Sequence, residues 1–136
     1  MCDIYLGGSS GQLWRKQFKD EIGTEISIFD PVSASYDNLT ELEKINEIAK
    51  SFYQLEKCSI IVFCFDNSCA DAISLIKLGD CIARNKHVVV CIDGEFVHQD
   101  DVKTYCEYHS VVCVRDIEDL ITTTEEYLAQ IEMCKV

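Results

Sequence analysis

The fold is decided by an unbroken apolar run near the middle of the chain, Ile60-Ile61-Val62-Phe63-Cys64-Phe65. The run does not alternate between polar and apolar residues. This pattern favours a central strand of a parallel sheet, because helices cover both faces of such a strand. Residues 87–92, which read His-Val-Val-Val-Cys-Ile, predict another strand further along the chain.

Working outward from this run, strand-like and helix-like segments alternate to both ends of the chain. Further strands are predicted at residues 3–6, 26–29 and 111–114. Helices are predicted from the apolar spacing around Trp14 to Ile22, from Asn38 to Leu55, from Cys69 to Arg84, from Asp101 to Tyr108, and from an Asp116 cap onward. This order predicts an α/β fold: a three-layer, doubly wound sheet of about five parallel strands, flavodoxin- or Rossmann-like, forming one domain over residues 1–136.

Composition narrows the classes of partner. The 136 residues are 48% hydrophobic and carry a formal charge of −12. That charge argues against nucleic acid or an anionic membrane as a partner, although a local patch could still hold a small phosphorylated ligand. No apolar run approaches the roughly 20 residues needed to cross a bilayer. The start of the chain, Met1 to Ile4, lacks the features of a targeting signal, so we expect a cytoplasmic protein.

Nine cysteines are present, and none forms a C-x-x-C pair or lies near a histidine at zinc-finger spacing. We therefore expect no metal site and no cofactor. Cys64, Cys91 and Cys113 lie in apolar strand segments, where a free thiol packs as a small hydrophobic group. This usage of cysteine fits a reducing compartment.

Ligands of doubly wound sheets bind beyond the carboxyl ends of the strands. Four segments are predicted to lie there: Gly7 to Gly11, Asp30-Pro31, Asp66-Asn67-Ser68 and Asp93-Gly94-Glu95. The first could offer backbone N–H groups to a phosphate or sugar oxygen, or could be a plain tight turn that needs glycine. Asp66 could bind a ribose hydroxyl or cap the helix that follows.

Several motifs resemble the nucleoside 2-deoxyribosyltransferase-like family. Ile4-Tyr5-Leu6-Gly7-Gly8-Ser9, with Trp14 after it, looks like that family's first strand and glycine turn, and Phe29-Asp30-Pro31 looks like the end of its second strand. The most specific similarity is Phe63-Cys64-Phe65-Asp66 followed by Ile73-Ser74-Leu75-Ile76-Lys77-Leu78-Gly79, where the family reads I-S-L-x-E-L-G.

The resemblance implies cleavage of the bond between a nucleobase and deoxyribose, with the glutamate of E-L-G attacking the anomeric carbon. This sequence has Lys77 at that position, and it has Lys50-Ser51 where many relatives have Trp-Glu. A cation opposes an oxocarbenium-like transition state. The resemblance leaves Asp66 and Asp71 as candidates for the remaining chemistry.

Other residues are expected to bind a nucleoside or nucleotide, and the resemblance also implies a homo-oligomer. The expected ligand-binding residues are Tyr5, Gly7, Gly8, Ser9, Trp14, Asp30, Pro31, Asn67, Ser74, Gly94 and Glu95. Tyr5 and Trp14 could stack on a base, although Trp14 shares a stripe with Phe18 and could equally belong to the core.

Four hypotheses for Lys77 remain open at this point. The protein could bind a nucleotide without turning it over, with Lys77 on a phosphate or paired with Asp71 or Asp80. It could instead be an enzyme in which Asp66 or Asp71 acts in place of the missing glutamate. Lys77 could also be an exposed helix lysine paired with Asp80, or, as the least supported case, a Schiff-base amine.

Overall fold

The computed structural model describes residues 2–31, 38–67 and 72–134. Strands and helices alternate along the chain, as the sequence predicts. The elements are β1 (Ile4–Gly8), α1 (Gln12–Glu21), β2 (Ile28–Phe29), α2 (Glu41–Lys57), β3 (Ile60–Phe65), α3 (Ala72–Ala83), β4 (His87–Ile92), α4 (Gln99–Tyr108), β5 (Val112–Val114) and α5 (Ile117–Cys134).

The five strands form one parallel sheet in the order β2-β1-β3-β4-β5. The predicted α/β fold class is therefore confirmed. β3 is the central strand, since it pairs with β1 and with β4 over its full length, and all six of its residues are buried. The order of the strands reverses between β1 and β3, so the crevice of a doubly wound sheet is expected at the carboxyl ends of these two strands.

Helices cover both faces of the sheet. On one face, Phe18 of α1 and Leu120 of α5 pack in a cluster with Ile4 and Val62. On the other face, Leu55 of α2, Leu78 of α3 and Val102 of α4 pack in a second cluster with Tyr5 and Phe63. Neighbouring residues of one strand belong to opposite clusters because successive side chains point to opposite faces of the sheet.

The start of α2 differs from the sequence prediction. The helix begins with a capping box between Thr40 and Glu43, two residues after the predicted start at Asn38. Most of the apolar stripe of the helix faces outward. Leu42 is 68% exposed and Ile45 is 61% exposed, and of the whole helix only Ser51 and Leu55 are buried.

One pair of cysteines departs from the usage expected in a reducing compartment. Cys2, just before β1, forms a disulfide with Cys58, just after α2. Cys64, Cys91 and Cys113 are free, as predicted. The disulfide was not foreseen because its two residues are 56 positions apart and come together only when β1 and β3 pair.

Candidate functional site

The crevice between β1 and β3 is held together by Ser9. The backbone N–H of Ser9 donates to the carbonyl of Cys64 (2.8 Å), and its hydroxyl accepts the backbone N–H of Asp66 (3.0 Å). Ser9 is fully buried. Its polar atoms are thus engaged in joining the two strand ends, and they hold Asp66 at the position predicted for it.

Both glycines of the turn are required by close packing. A Cβ on Gly7 would lie 2.7 Å from the ring of Phe63. Gly8 has a φ of +98°, and a Cβ there would collide with the carbonyl oxygen of Cys64. These contacts favour the tight-turn alternative for Gly7 and Gly8, because packing alone excludes any larger residue.

A buried arginine donates hydrogen bonds to the backbone of the glycine turn. Arg15 on α1 is 1% exposed and donates hydrogen bonds to the carbonyls of Leu6 (3.1 Å), Gly8 (3.4 Å) and Ser9 (3.0 Å). Next to it, the indole N–H of Trp14 donates to the Ser9 carbonyl (3.0 Å). Trp14 packs in the core and is 3% exposed, which favours the core alternative over base stacking.

Asp30 follows β2 and is the counter-ion of this arginine. One carboxylate oxygen lies 2.8 Å from Arg15, and the other lies 2.8 Å from Nζ of Lys19. Burial lowers the pKa of the Arg15 guanidinium, and the carboxylate of Asp30 opposes that shift. The structure therefore gives Asp30 a supporting contact beneath the turn, while Pro31 lies half-buried after it.

The predicted nucleophile position lies in a polar cluster between α2 and α3. Ser74 on α3 donates its hydroxyl hydrogen to the carbonyl of Gly8 (3.1 Å), which fixes α3 against the turn. Three residues further on, Nζ of Lys77 donates to the hydroxyl of Tyr5 (3.1 Å) and to Oγ of Ser51 (3.0 Å). The two hydroxyls are 2.5 Å apart and hydrogen-bonded to each other. Lys77, Tyr5 and Ser51 are called the Lys77 cluster below.

The Lys77 cluster is positively charged and partly apolar. Lys77 is half-buried, with its Nζ 5.2 Å from the ring centre of Phe52. Among the residues that the structure describes, no carboxylate pairs with Lys77. The expectation that Asp80 pairs with it is wrong, because Asp80 binds Arg84 instead (3.1 Å). Within the described ranges the ammonium group is therefore held by neutral hydroxyls, which leaves its charge available to an anion.

The remaining predicted residues lie apart from the Lys77 cluster. Asn67 is exposed at the end of β3. Gly94, with a φ of +78°, and Glu95 are exposed at the end of β4. Asp71 lies outside the described residues. The structure thus joins Tyr5 to Lys77 and Ser9 to Asp66, and the backbone N–H of Asp93 donates to the carbonyl of Phe65 (2.9 Å), which places the β4 turn beside the end of β3.

Sequence reasoning missed two of the residues that organise this region. Arg15 gave no signal, because a basic residue on an amphipathic helix is usually exposed. Ser51 did give a signal, because this sequence has serine where many members of the family that it resembles have glutamate. Two such departures, Ser51 and Lys77, lie in direct hydrogen-bond contact, although they are 26 residues apart in sequence.

The comparisons with known proteins bear on this site. A family model described as "Nucleoside 2-deoxyribosyltransferase like" matches residues 1–95, the part of the chain that contains β1, α2, β3 and α3. The search of curated proteins found no match. In residues 2–31, 38–67 and 72–134, no helix has the length and apolarity that a membrane span requires.

Proposed function

The chain belongs to the nucleoside 2-deoxyribosyltransferase-like family, and from that premise we propose that it binds a nucleoside or nucleotide with its N-glycosidic chemistry lost or strongly reduced. The observation that carries the proposal is the environment of Lys77. Its ammonium group is held by Tyr5 and Ser51 at the position predicted for the nucleophilic glutamate.

The charge of Lys77 opposes the family's reaction. Positive charge develops on the sugar in an oxocarbenium-like transition state, and a carboxylate stabilises it. An ammonium group about 4 Å away would instead raise the barrier by about 4 kcal/mol at an effective dielectric constant of about 20. That corresponds to a rate lower by about 1000-fold, before the loss of the nucleophile is counted. Hydroxyl partners do not neutralise this charge.

The same charge favours an anionic ligand. Lys77 has only hydroxyl acceptors among the described residues, so a phosphate oxygen would give it a charged partner. Charge-assisted hydrogen bonds are about twice as strong as neutral ones. We therefore propose a deoxynucleoside monophosphate rather than a nucleoside as the preferred ligand. Nucleic acid is not proposed, because the chain carries a formal charge of −12.

An active N-glycosidase or transferase is the second candidate function. Asp66 favours it, since its backbone is fixed by the Ser9 hydroxyl at the carboxyl end of the central strand. In such an enzyme, Asp66 or Asp71 supplies the carboxylate that takes the place of the missing glutamate. The measurement that separates the two functions is the release of free base.

The decisive experiment compares the wild type with Lys77→Met, Lys77→Glu and a charge-matched control, Lys16→Glu. Lys16 lies on α1, on the opposite face of the sheet, in an exposed pair with Asp20. Each protein is incubated with deoxynucleosides and their monophosphates. Free base is measured by chromatography, and ligand binding is measured by thermal denaturation. A ligand present at about 100 times its Kd should stabilise the wild type by about 2.7 kcal/mol.

The proposal expects saturable stabilisation of the wild type and of Lys16→Glu, with no free base. Lys77→Met should lose the preference for monophosphates by about tenfold, the effect of one charged hydrogen bond. Base release by Lys77→Glu alone would mean that the pocket is intact and that the chemistry was lost at this position. Base release by the wild type would overturn the binding proposal in favour of the enzyme.

A homo-oligomer is also part of the proposal. Apolar residues of α2 and α3 stay exposed around the Lys77 cluster, and they form a surface that a second copy could cover; they are Leu42, Ile45, Ile48, Phe52, Ile73 and Ile76. Exposed apolar surface of this kind often marks an interface. Light scattering should show that Ile45→Asp lowers the molecular mass. Leu13→Asp, at an 88% exposed position of α1, should leave the mass unchanged. A monomeric wild type would contradict the proposed homo-oligomer.

A cytoplasmic location completes the proposal. It is supported by the free thiols at six described positions, and the disulfide between Cys2 and Cys58 argues against it. Alkylating the thiols in denaturant directly after lysis tests this point. A reducing compartment should leave Cys2 and Cys58, which are buried in the folded protein, as alkylatable thiols.

A further inference from the structure

A second site with reactive side chains lies at the β5 edge of the sheet, away from the crevice between β1 and β3. An open cavity of about 450 Å³ is formed where α4 faces the edge strand β5. Cys113, in the middle of β5, lines this cavity and is half-buried. The family model ends at residue 95, so α4, β5 and all the residues that line this cavity except Ile92 lie beyond the matched region.

Cys113 has a second thiol against it. Cys106 on α4 is fully buried, and Cys113 packs against the core cluster to which Cys106 belongs. The backbone brings the two elements together, because the N–H of Val111 donates to the carbonyl of Cys106 (2.8 Å). One thiol of the pair thus opens onto a cavity, and the other lies behind it without exposure.

The charged groups around Cys113 include two cations. Lys103 of α4 and Arg115 at the end of β5 line the same cavity, together with Asp100 and Glu107 of α4. The pKa of Cys113 is lowered from 9.0 to about 7; hydrogen bonding to Cys106 is the main cause, burial opposes it, and the charges of Lys103 and Arg115 contribute to the lowering. The same contact and burial raise the pKa of Cys106. Cys113 is thus the nucleophile of the pair, since the thiolate is the reactive form.

We propose that Cys113 is a site of oxidation by small hydroperoxides and that Cys106 resolves the oxidised form into an intramolecular disulfide. In the first step, the Cys113 thiolate attacks the terminal oxygen of the hydroperoxide, and the O–O bond breaks. This gives a sulfenic acid on Cys113 and an alkoxide, or a hydroxide, that takes a proton from water.

In the second step, the sulfur of Cys106 attacks the sulfur of Cys113. The S–O bond breaks, and the departing hydroxide leaves as water with the proton of Cys106. The two thiols together lose two electrons, and the hydroperoxide is reduced to an alcohol, or water, plus one water. The product would join α4 covalently to β5 across the wall of the cavity.

The test treats the folded full-length protein with hydrogen peroxide, blocks the remaining thiols and maps its peptides by mass spectrometry. Trypsin cleaves after Lys103 and Arg115, so Cys106 and Cys113 fall in one peptide, residues 104–115. The proposal expects this peptide to lose two hydrogens at peroxide concentrations that leave Cys134 unmodified. Cleavage after Glu107 should then give two fragments that separate only on reduction.

Variants assign the two roles. In Cys106→Ser, oxidation should stop at a sulfenic acid on Cys113, which a dione reagent traps. In Cys113→Ser, Cys106 should stay unoxidised. The alkylation rate of Cys113 should reach half its maximum near pH 7. At that pH it should exceed the rate of an ordinary thiol of equal access by about fivefold, after its lower nucleophilicity is allowed for. A midpoint at or above pH 8.5, oxidation of Cys134 before Cys113, or a wild type without the 106–113 disulfide would each overturn the proposal.

Discussion

The ion pair beneath the glycine turn gives a prediction whose sign depends on which partner is removed. Arg15 is 1% exposed and the side chain of Asp30 is 11% exposed, with 2.8 Å between their charged atoms. Asp30→Asn leaves the buried guanidinium facing only carbonyl oxygens. Arg15→Met leaves Asp30 paired with Lys19, whose Nζ lies 2.8 Å from the other carboxylate oxygen.

The two costs follow from what each change leaves behind. Removing one partner of a buried pair and stranding the other charge costs about 3–5 kcal/mol, which is our expectation for Asp30→Asn. For Arg15→Met the main loss is the donor to the Leu6 carbonyl, because Trp14 still donates to Ser9 and Ser74 still donates to Gly8. An orphaned acceptor of this kind costs about 1–3 kcal/mol. Asp30→Asn should therefore be the more destabilising change by about 2 kcal/mol.

Urea denaturation measures both changes, with Trp14 fluorescence as a local probe, since this single tryptophan lies in the core beside Arg15. In thermal unfolding, Asp30→Asn should lower the Tm by about 10–20 °C, at about 3–5 °C per kcal/mol. Asp20→Asn breaks an exposed pair with Lys16 and serves as the control, for which little change is expected. The reasoning is refuted if Asp30→Asn costs less than Arg15→Met, or no more than the control.

Two further predictions concern the disulfide and the two glycines with positive φ, Gly8 and Gly94. Reduction of the disulfide, or Cys58→Ser, should lower the free energy of unfolding by up to about 4 kcal/mol, because Cys2 and Cys58 close a loop of 56 positions; equal Tm values with and without reductant would contradict this. Gly8→Ala should destabilise by about 3 kcal/mol or more, because its Cβ would collide with Cys64. Gly94→Ala has a similar φ but open space, so calorimetry should show a cost of only about 1–2 kcal/mol.

The parts of the fold that local pattern decides were predictable from the sequence. The runs that became β3 and β4 were placed at their observed bounds, because strands covered on both faces must be apolar throughout. The start of α5 was also predictable, since Asp116 accepts the backbone N–H of Asp119 (2.8 Å) as a cap does. In each case the signal lies within a few residues of the feature that it determines.

The parts that depend on distant partners were not predictable. An apolar stripe at helical spacing predicted the helix α2 but not its exposure, and Leu42 and Ile45 are exposed; the pattern shows that a face is apolar without showing what covers it. The cap of α2 was predicted at Asn38, whereas the structure has it at Thr40. Each of these residues is followed three positions later by a glutamate, so the local sequence does not distinguish the two caps. Arg15 became a buried support of the turn only because the carbonyls of β1 and the Asp30 carboxylate converge on it.

The chemistry of the Lys77 cluster makes a single substitution an informative test of the proposed function. The hydroxyls of Tyr5 and Ser51 accept hydrogen bonds from the ammonium group, and hydroxyls can equally donate to a carboxylate. Lys77→Glu would therefore replace the ammonium group by a carboxylate without leaving either hydroxyl unpaired, so any gain of base release would report the charge and the nucleophile of that carboxylate rather than a disrupted cluster. If Lys77→Glu still binds ligand but releases no base, the second departure from the family pattern becomes the next cause to test. Adding Ser51→Glu to Lys77→Glu would then place two carboxylates in contact, and base release by that double variant alone would show that the reaction requires the pair.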